Sequence, residues 1–321
     1  MTRPIPLLIL GLAIALPLSL LAGRVWIDPF DPQTANAATI LFELRLPRAT
    51  LALVVGAALG GAGAAMQGYL RNPLADPGLF GIAPGAALGA VLSLWLGAAS
   101  VWALPLFALI GAGGAMALLA LIAGRDGGVA LFTLAGMMIA SLAGALMSLA
   151  ISLSPTPFAL SEIVTWLMGA LADRSWRDVW IAAPLTLAGL GVLALTARSL
   201  DALTLGASAA RSLGVDPRRL QWQMIAGIGL TVGASVAVAG IIGFVGLIVP
   251  HLVRPFTDRR PSSLLLPSAL AGALLLLVAD CLCRILPLAG GELRLGIALS
   301  LLGAPFFLHL LLRMRTSAGS A

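Results

Sequence analysis

The chain has 321 residues, of which 60% are hydrophobic and only 10% charged, with a mean hydropathy of +1.05. Soluble domains are about 45–50% apolar and about 25% charged, so a soluble fold is excluded and residues 1–321 are read as one all-α, polytopic membrane domain. The net charge of +6 and pI of 11.1 arise from 19 arginines and no lysine. These are dispersed through loops without clustered aromatics, which excludes a nucleic-acid surface and points to membrane topology.

Charges and Pro/Gly punctuation predict about ten spans, each judged against a bilayer core of about 30 Å. They cover residues 5–23, 48–67, 83–103, 106–123, 130–152, 178–197, 220–240, 242–255, 264–285 and 294–312. The first apolar run is long for a signal peptide, and Leu20-Leu21-Ala22 is a poor cleavage site, so it reads as an uncleaved span. In the second span, Gly56–Gly68 (GAALGGAGAAMQG) spaces small residues by three and four, as does Gly227–Gly240 in the seventh. Such spacing lets helix backbones approach closely, and packing within the chain is its expected use. After the second span, QGYLRNPLADPG contains Asn-Pro and Asp-Pro steps that force extended backbone. Non-helical backbone at membrane depth is tolerated only beside protein or water.

The segment Ser152–Asp178 has polar ends and a short apolar middle, which predicts a re-entrant or interfacial helix. Trp166, Trp176 and Trp180 there fit an aromatic belt. Between spans six and seven, Leu200, Leu203, Ala207, Ala210 and Leu213 recur at helical spacing and predict one face of a three-turn helix. Asp201 is its expected N-cap and Gly214 its expected stop, with Arg211 in the last turn. Asp216-Pro217 reads as an N-cap and first-position pair opening span seven. A lipid-surface helix and a docking helix both fit; the sharp glycine turn and the arginines after it favour docking. In span nine, Asp280 and Arg284 stand four apart and predict a structural ion pair. Cys281 and Cys283 read as small buried hydrophobes, and His251 and His309 as structural residues at span ends.

Arginine counts in alternate loops set the orientation. Arg3, Arg71, Arg125, Arg198, Arg211, Arg218, Arg219, Arg254, Arg259, Arg260, Arg313 and Arg315 fall on one side. Arg24, Arg45, Arg48, Arg174, Arg177, Arg284 and Arg294 fall on the other. The richer side is expected to be cytoplasmic, with both termini there. No G-x-x-x-x-G-K-[ST] loop, G-x-S-x-G elbow or H-E-x-x-H motif occurs, so the chain is not expected to be an enzyme. Intramembrane acids and histidines are too few for a proton relay.

The blocks Leu44–Ala90, TWLMGAL (Thr165–Leu171), LGASAARSLGVD (Leu205–Asp216), GFVGLIVPHLVRPF (Gly243–Phe256) and LGAPFFLHLLLR (Leu302–Arg313) together resemble the permease subunits of bacterial ABC importers for ferric siderophores, haem and cobalamin, the type II importers. The resemblance covers almost the whole chain. It implies ten spans per subunit, a second permease subunit (an identical copy favoured over a paralogue), two separate ATPase subunits that hold ATP and Mg, a periplasmic substrate-binding protein, and a place in the inner membrane. No cofactor is implied for this chain. The resemblance implies a coupling helix within residues 201–216, with Leu205, Gly206, Ala207, Ala210, Arg211 and Gly214 meeting the ATPase. It also implies a cytoplasmic gate at Asn72 and Leu74, with a second constriction near Gly128, Val129 and Ala130. Arg45, Arg48 and Arg284 match its binding-protein docking positions. The sequence departs from the family near the start of span ten, where Arg294 stands at a common proline position. A stand-alone secondary transporter for a small solute is the alternative reading. It requires coupling-ion residues near the midplane, which the spans hardly offer.

Overall fold

Glycine spacing dictates how the helices meet. The computed structural model describes residues 4–23, 37–98, 100–124, 128–286 and 291–318. Its helices are α1 (Pro4–Leu21), α2 (Ala37–Leu70), α3 (Ile82–Trp95), α4 (Ala103–Ala123), α5 (Val129–Ser152), α6 (Pro157–Leu167), α7 (Trp176–Leu195), α8 (Ala197–Leu203), α9 (Ala207–Ser212), α10 (Pro217–Ala239), α11 (Val245–Val253), α12 (Pro261–Ile285) and α13 (Leu295–Ala318). Arg3, Arg24 and Arg125 of the orientation pattern lie outside the described residues, as do the side chains of Arg313 and Arg315.

The most intimate pair is α2 against α12, running antiparallel. A Cβ on Gly56 would fall on the Gly272 carbonyl, and one on Gly60 on the Ser268 carbonyl. One step further, Gly63 meets the backbone of Gly246 at the start of α11. Lipid tails are as apolar as leucine side chains, so burial of apolar surface does not drive helices together here; close van der Waals contact does. The same device joins α3 to α4 through Gly85 and Gly111, and α7 to α10 through Gly189 and Gly227. Buried residues concentrate on α2 and α10, whereas only 6% of α1 is buried.

Among the described residues, eight helices are long and apolar enough to cross a membrane: α1, α2, α4, α5, α7, α10, α12 and α13. Two predicted spans are shorter than expected. The run 83–103 forms α3, of 14 residues, about 21 Å at 1.5 Å per residue. The run 242–255 forms α11, of nine residues, followed by a tight turn at Arg254–Phe256. Its shortening has a local cause: α10 stops at Gly240 (φ 72°), and Phe244 also takes a left-handed conformation (φ 66°) before α11 begins. The interruption is stitched to the turn after α6, which is itself bonded to the start of α13. The Ala170 amide donates to the Ala239 carbonyl at 2.9 Å, and the Gly296 amide to the Gly169 carbonyl at 3.1 Å. Conversely, the second span begins earlier than predicted. Helix α2 extends back to Ala37 through a wider turn at Ile40–Arg45, which precedes Leu46-Pro47, where proline removes a donor.

The short helix expected within Ser152–Asp178 is present as α6, capped by Thr156, whose hydroxyl accepts from the Ala159 amide at 3.1 Å. Trp180 is 72% exposed and fits a belt, but Trp166 is buried in the core. The α6 face that carries it turns inward, and a Cβ on Gly240 would meet its carbonyl.

Replacing Gly60 or Gly272 by leucine is expected to force α2 and α12 apart. Overpacking costs about 1–3 kcal/mol even in cores that can adjust, and here the opposing atoms are backbone. The expected result is loss of most folded, monodisperse protein by size-exclusion chromatography in detergent, whereas Gly113→Leu, facing open space, leaves it intact.

Candidate functional site

At the arginine-rich end, the α7–α10 connection is two short helices bent at Gly206, not the single helix that spacing suggested. The amides of Thr204, Leu205 and Gly206 donate to the carbonyls of Asp201, Ala202 and Leu203, tightening the turn. Gly206 then leaves the helical region at φ 102°, ψ 156°, a conformation glycine adopts without a Cβ penalty. The bend splits the expected apolar face. Leu200 and Ala210 are buried, while Leu205 and Leu213 are 68% and 65% exposed, beside exposed Ala207 and Arg211.

The end of α9 matches expectation. Gly214 (φ 85°) donates to the Arg211 carbonyl, and Val215 to the Ala210 carbonyl at 3.0 Å, a Schellman closure. Asp216 caps α10, accepting from the Arg218 amide at 2.9 Å. Asp201 is not the N-cap of its own helix. Its carboxylate accepts from the Ser262 amide at 2.9 Å and the Ser262 hydroxyl at 2.6 Å. It thus caps the N-terminus of α12, where unpaired amides favour negative charge, and fastens the α8–α9 unit to that span.

The Asn72–Leu74 turn follows α2, with Arg71 in the left-handed region. The exposed Asn72 side chain accepts from the Leu74 amide at 3.0 Å, and the Asn72 amide donates to the Gln67 carbonyl at 3.1 Å. Leu74 packs with Phe244, Leu247, Ile248 and Leu310. Asp76 is extended, as its following proline requires, and accepts from the Gly78 amide at 2.7 Å. Burial pushes its carboxyl above the ordinary value, opposed by that hydrogen bond. Val129 and Ala130 open α5. Three residues on from Val129, Phe132 takes Tyr69 edge-on at 5.3 Å and Phe80 at 5.5 Å. The two expected constrictions are therefore tied to one aromatic cluster.

At the opposite end, Arg45, Arg48 and Arg284 do not form an open rim. Arg48 grips Asp280 with Nε and Nη2 at 2.8–3.0 Å and reaches Glu292 at 2.8 Å. Arg284 pairs with Asp280 at 3.3 Å, as its i,i+4 spacing predicted, and donates to the Ser19 hydroxyl and carbonyl. Arg45 donates to the carbonyls of Leu20 and Leu21 at 2.8 and 2.7 Å, closing the end of α1. The side chains of Arg284 and Asp280 are 6% and 1% exposed, because α1, α2 and α12 converge around them. The three arginines line a cavity of about 640 Å³ with Glu43, Asp173 and Arg174.

Sequence reasoning missed Gln67 and Arg174. Gln67 is a single polar residue in an apolar span. Its amide donates to the carbonyls of Gly246 and Leu247 and its oxygen accepts from Arg254 at 2.7 Å, joining α2 to α11 beside the Asn72 turn. Arg174 borders the 640 Å³ cavity and a second one of about 420 Å³ that also holds Arg294. Burial pushes its guanidinium below the ordinary value, against the pull of Asp178 and Asp173.

The all-helical architecture, with its long apolar helices and the short helical unit at one end, is the fold of an ABC transporter permease. A solved structure described as an inward-facing conformation of a metal-chelate type ABC transporter superimposes with a TM-score of 0.88 at 34% identity, covering 95% of this chain and 97% of that one. A model of the FecCD transport family matches residues 9–313. The vitamin B12 import system permease protein BtuC of Escherichia coli O9:H4 (strain HS) is 40% identical over 307 residues, 94% of this chain and 92% of the relative. The Shigella flexneri protein of that name is 40% identical over 305 residues, with the same shares covered. The chain belongs to the FecCD transport family and is a multi-pass membrane permease.

Removing one partner of a buried ion pair costs about 3–5 kcal/mol. Asp280→Asn is therefore expected to lower the unfolding temperature in detergent markedly. Adding Arg48→Met and Arg284→Met to it should recover most of the loss, because the two guanidiniums left facing position 280 are then gone and Glu292, which loses Arg48, is 32% exposed. If the triple variant is no more stable than Asp280→Asn alone, the cluster is not the source of the effect.

Proposed function

We propose that the chain is the transmembrane subunit of an ATP-driven importer that carries cobalamin or a related metal chelate, with ferric siderophores and haem in the same chemical class. The names of its relatives support cobalamin first and the metal-chelate class more broadly. The arginine-rich end faces the cytoplasm. Two copies of the permease enclose the pathway, and two ATPase subunits supply ATP and Mg chemistry that this chain has no residues for. The permease is a transport subunit, not an enzyme.

The observation that carries this reading is the α8–α9 unit. It offers Leu205, Leu213 and Arg211 outward while Asp201 holds its other side to α12 and the Gly214 closure leads directly into α10. An exposed apolar pair with a cationic neighbour suits a cleft on a partner protein. A rigid tether converts a push on that unit into movement of two spans. A proton- or ion-driven transporter fits less well: of the buried acids on spanning helices, Asp280 is already engaged by two guanidiniums and Asp178 by the cap of its own helix and Arg177. A substrate-binding protein docks at the opposite end, where Arg45, Arg48 and Arg284 act through the charged cavity they line, since their hydrogen bonds are used internally.

Valine at position 214 must adopt a left-handed backbone, at about 1–2 kcal/mol, and would loosen the α9 closure. In proteoliposomes with the ATPase and binding protein, Gly214→Val and Arg211→Glu are each expected to reduce ATP-dependent cobalamin uptake about tenfold while folded permease is retained. Normal uptake with a bound ATPase in both variants would remove the docking role.

The gate makes a separate prediction. Asn72→Cys or Leu74→Cys is expected to crosslink between two permease copies in one nucleotide state and not another. If Leu74 serves only its own packing with Leu247 and Leu310, no intersubunit crosslink forms with or without trapped ATP, for short and long reagents alike.

A further inference from the structure

A cleft of about 210 Å³ at the arginine-rich end lies where the coupling unit meets the turn after α2. Gln67, Arg71, Asn72, Thr204, Arg254 and Arg259 supply its polar lining, and Pro261 and Leu264 an apolar wall. Three guanidiniums therefore share one small space, and no carboxylate lines it. The nearby acids are committed elsewhere among the described residues: Asp258 to Ser263 and Arg260, and Asp201 to Ser262. Arg254 gives one nitrogen to Gln67, while its buried Nε has no partner. Arg71 and Arg259 both hold left-handed backbone, at φ 50° and 64°, which L-residues with a side chain disfavour. Three like charges around one small space, one of them with an unpartnered buried nitrogen, call for an anion.

We propose that this cleft binds a phosphate-type oxyanion, presented by the headgroup of an anionic phospholipid or as free phosphate. Arginine forks match phosphate oxygens in geometry and charge. Basic pockets between spans on the cytoplasmic side hold anionic headgroups, and the apolar wall of Pro261 and Leu264 suits the glycerol end of a lipid. A bound phosphate would link the gate turn at Arg71–Pro73, the coupling unit at Thr204 and the Arg254–Pro261 turn. Its placement in the cytoplasmic leaflet rests on the orientation proposed above; the binding itself does not.

The test uses the purified permease–ATPase complex, with no transport measurement, so failed import and failed binding are separable. Native mass spectrometry counts phosphatidylglycerol retained from mixed phosphatidylcholine nanodiscs, and thermal shift in detergent follows titration with inorganic phosphate. Each lost charge-assisted contact weakens binding about tenfold or more. Retention of phosphatidylglycerol by the wild type, lost in Arg254→Gln/Arg259→Gln and in the exposed Arg71→Gln, supports the lipid source. A phosphate-dependent shift with the same variant dependence, without retained lipid, supports the free ion. The proposal is overturned if neither ligand acts, or if the variants bind both as the wild type does. It is also overturned if the variants shed the ATPase equally in both lipids, since the arginines would then serve a carboxylate of the partner protein.

Discussion

Everything in this permease depends on how closely two helix backbones can lie without side chains between them. The α2–α12 seam is built on Gly56, Gly60, Ser268 and Gly272, and it is continuous with the contact of Gly63 on α11. In a bilayer no solvent squeezes helices together, so contact area and distance decide association. Once α2 and α12 are fixed, the remaining parts follow. Their arginine-rich ends carry the Asn72 turn and the Asp201 tether, and their opposite ends carry the Arg48–Asp280 pair. A shift of α2 along the seam would therefore carry the Asn72 turn and Arg48 together relative to α12.

The charged cluster serves a different purpose from the seam. Packing of small residues gives proximity but little register, since one glycine resembles the next. The Arg48 fork on Asp280, flanked by Arg284 and Glu292, accepts only one alignment. Buried pairs add little net stability but penalise wrong arrangements heavily. Seam and cluster together set distance and alignment for the same helix pair, each by the interaction suited to it.

What the sequence made legible was local chemistry. Glycine spacing in Gly56–Gly68, the stop at Gly214, the cap at Asp216 and the Asp280–Arg284 pair all involve residues within a few positions of one another, and each took its expected form. The extended backbone at Asp76 was likewise dictated by the proline after it. The readings that failed turned on partners far along the chain. Asp201 was taken as a cap of its own helix because nothing nearby announced Ser262, and the internal pairing of Arg48 went unread because its partner lies 232 residues away. The break at Gly206 was hidden because the apolar periodicity runs through it unbroken. The shortening of α3 and α11 was hidden because an apolar run records solvent preference, not where the backbone turns. Gln67 showed only as an isolated polar residue, with no sign of the three segments it joins.

The distance between Arg48 and Asp280 also bears on biosynthesis. A ribosome adding about 5–20 residues per second needs on the order of 10–50 s to cover the 232 residues that separate them. Throughout that interval Arg48 has been made without Asp280, and the end of α1, already closed by Arg45, still lacks its second arginine, Arg284. The N-terminal pair of helices thus waits for this lock until almost the last tenth of the chain has been made.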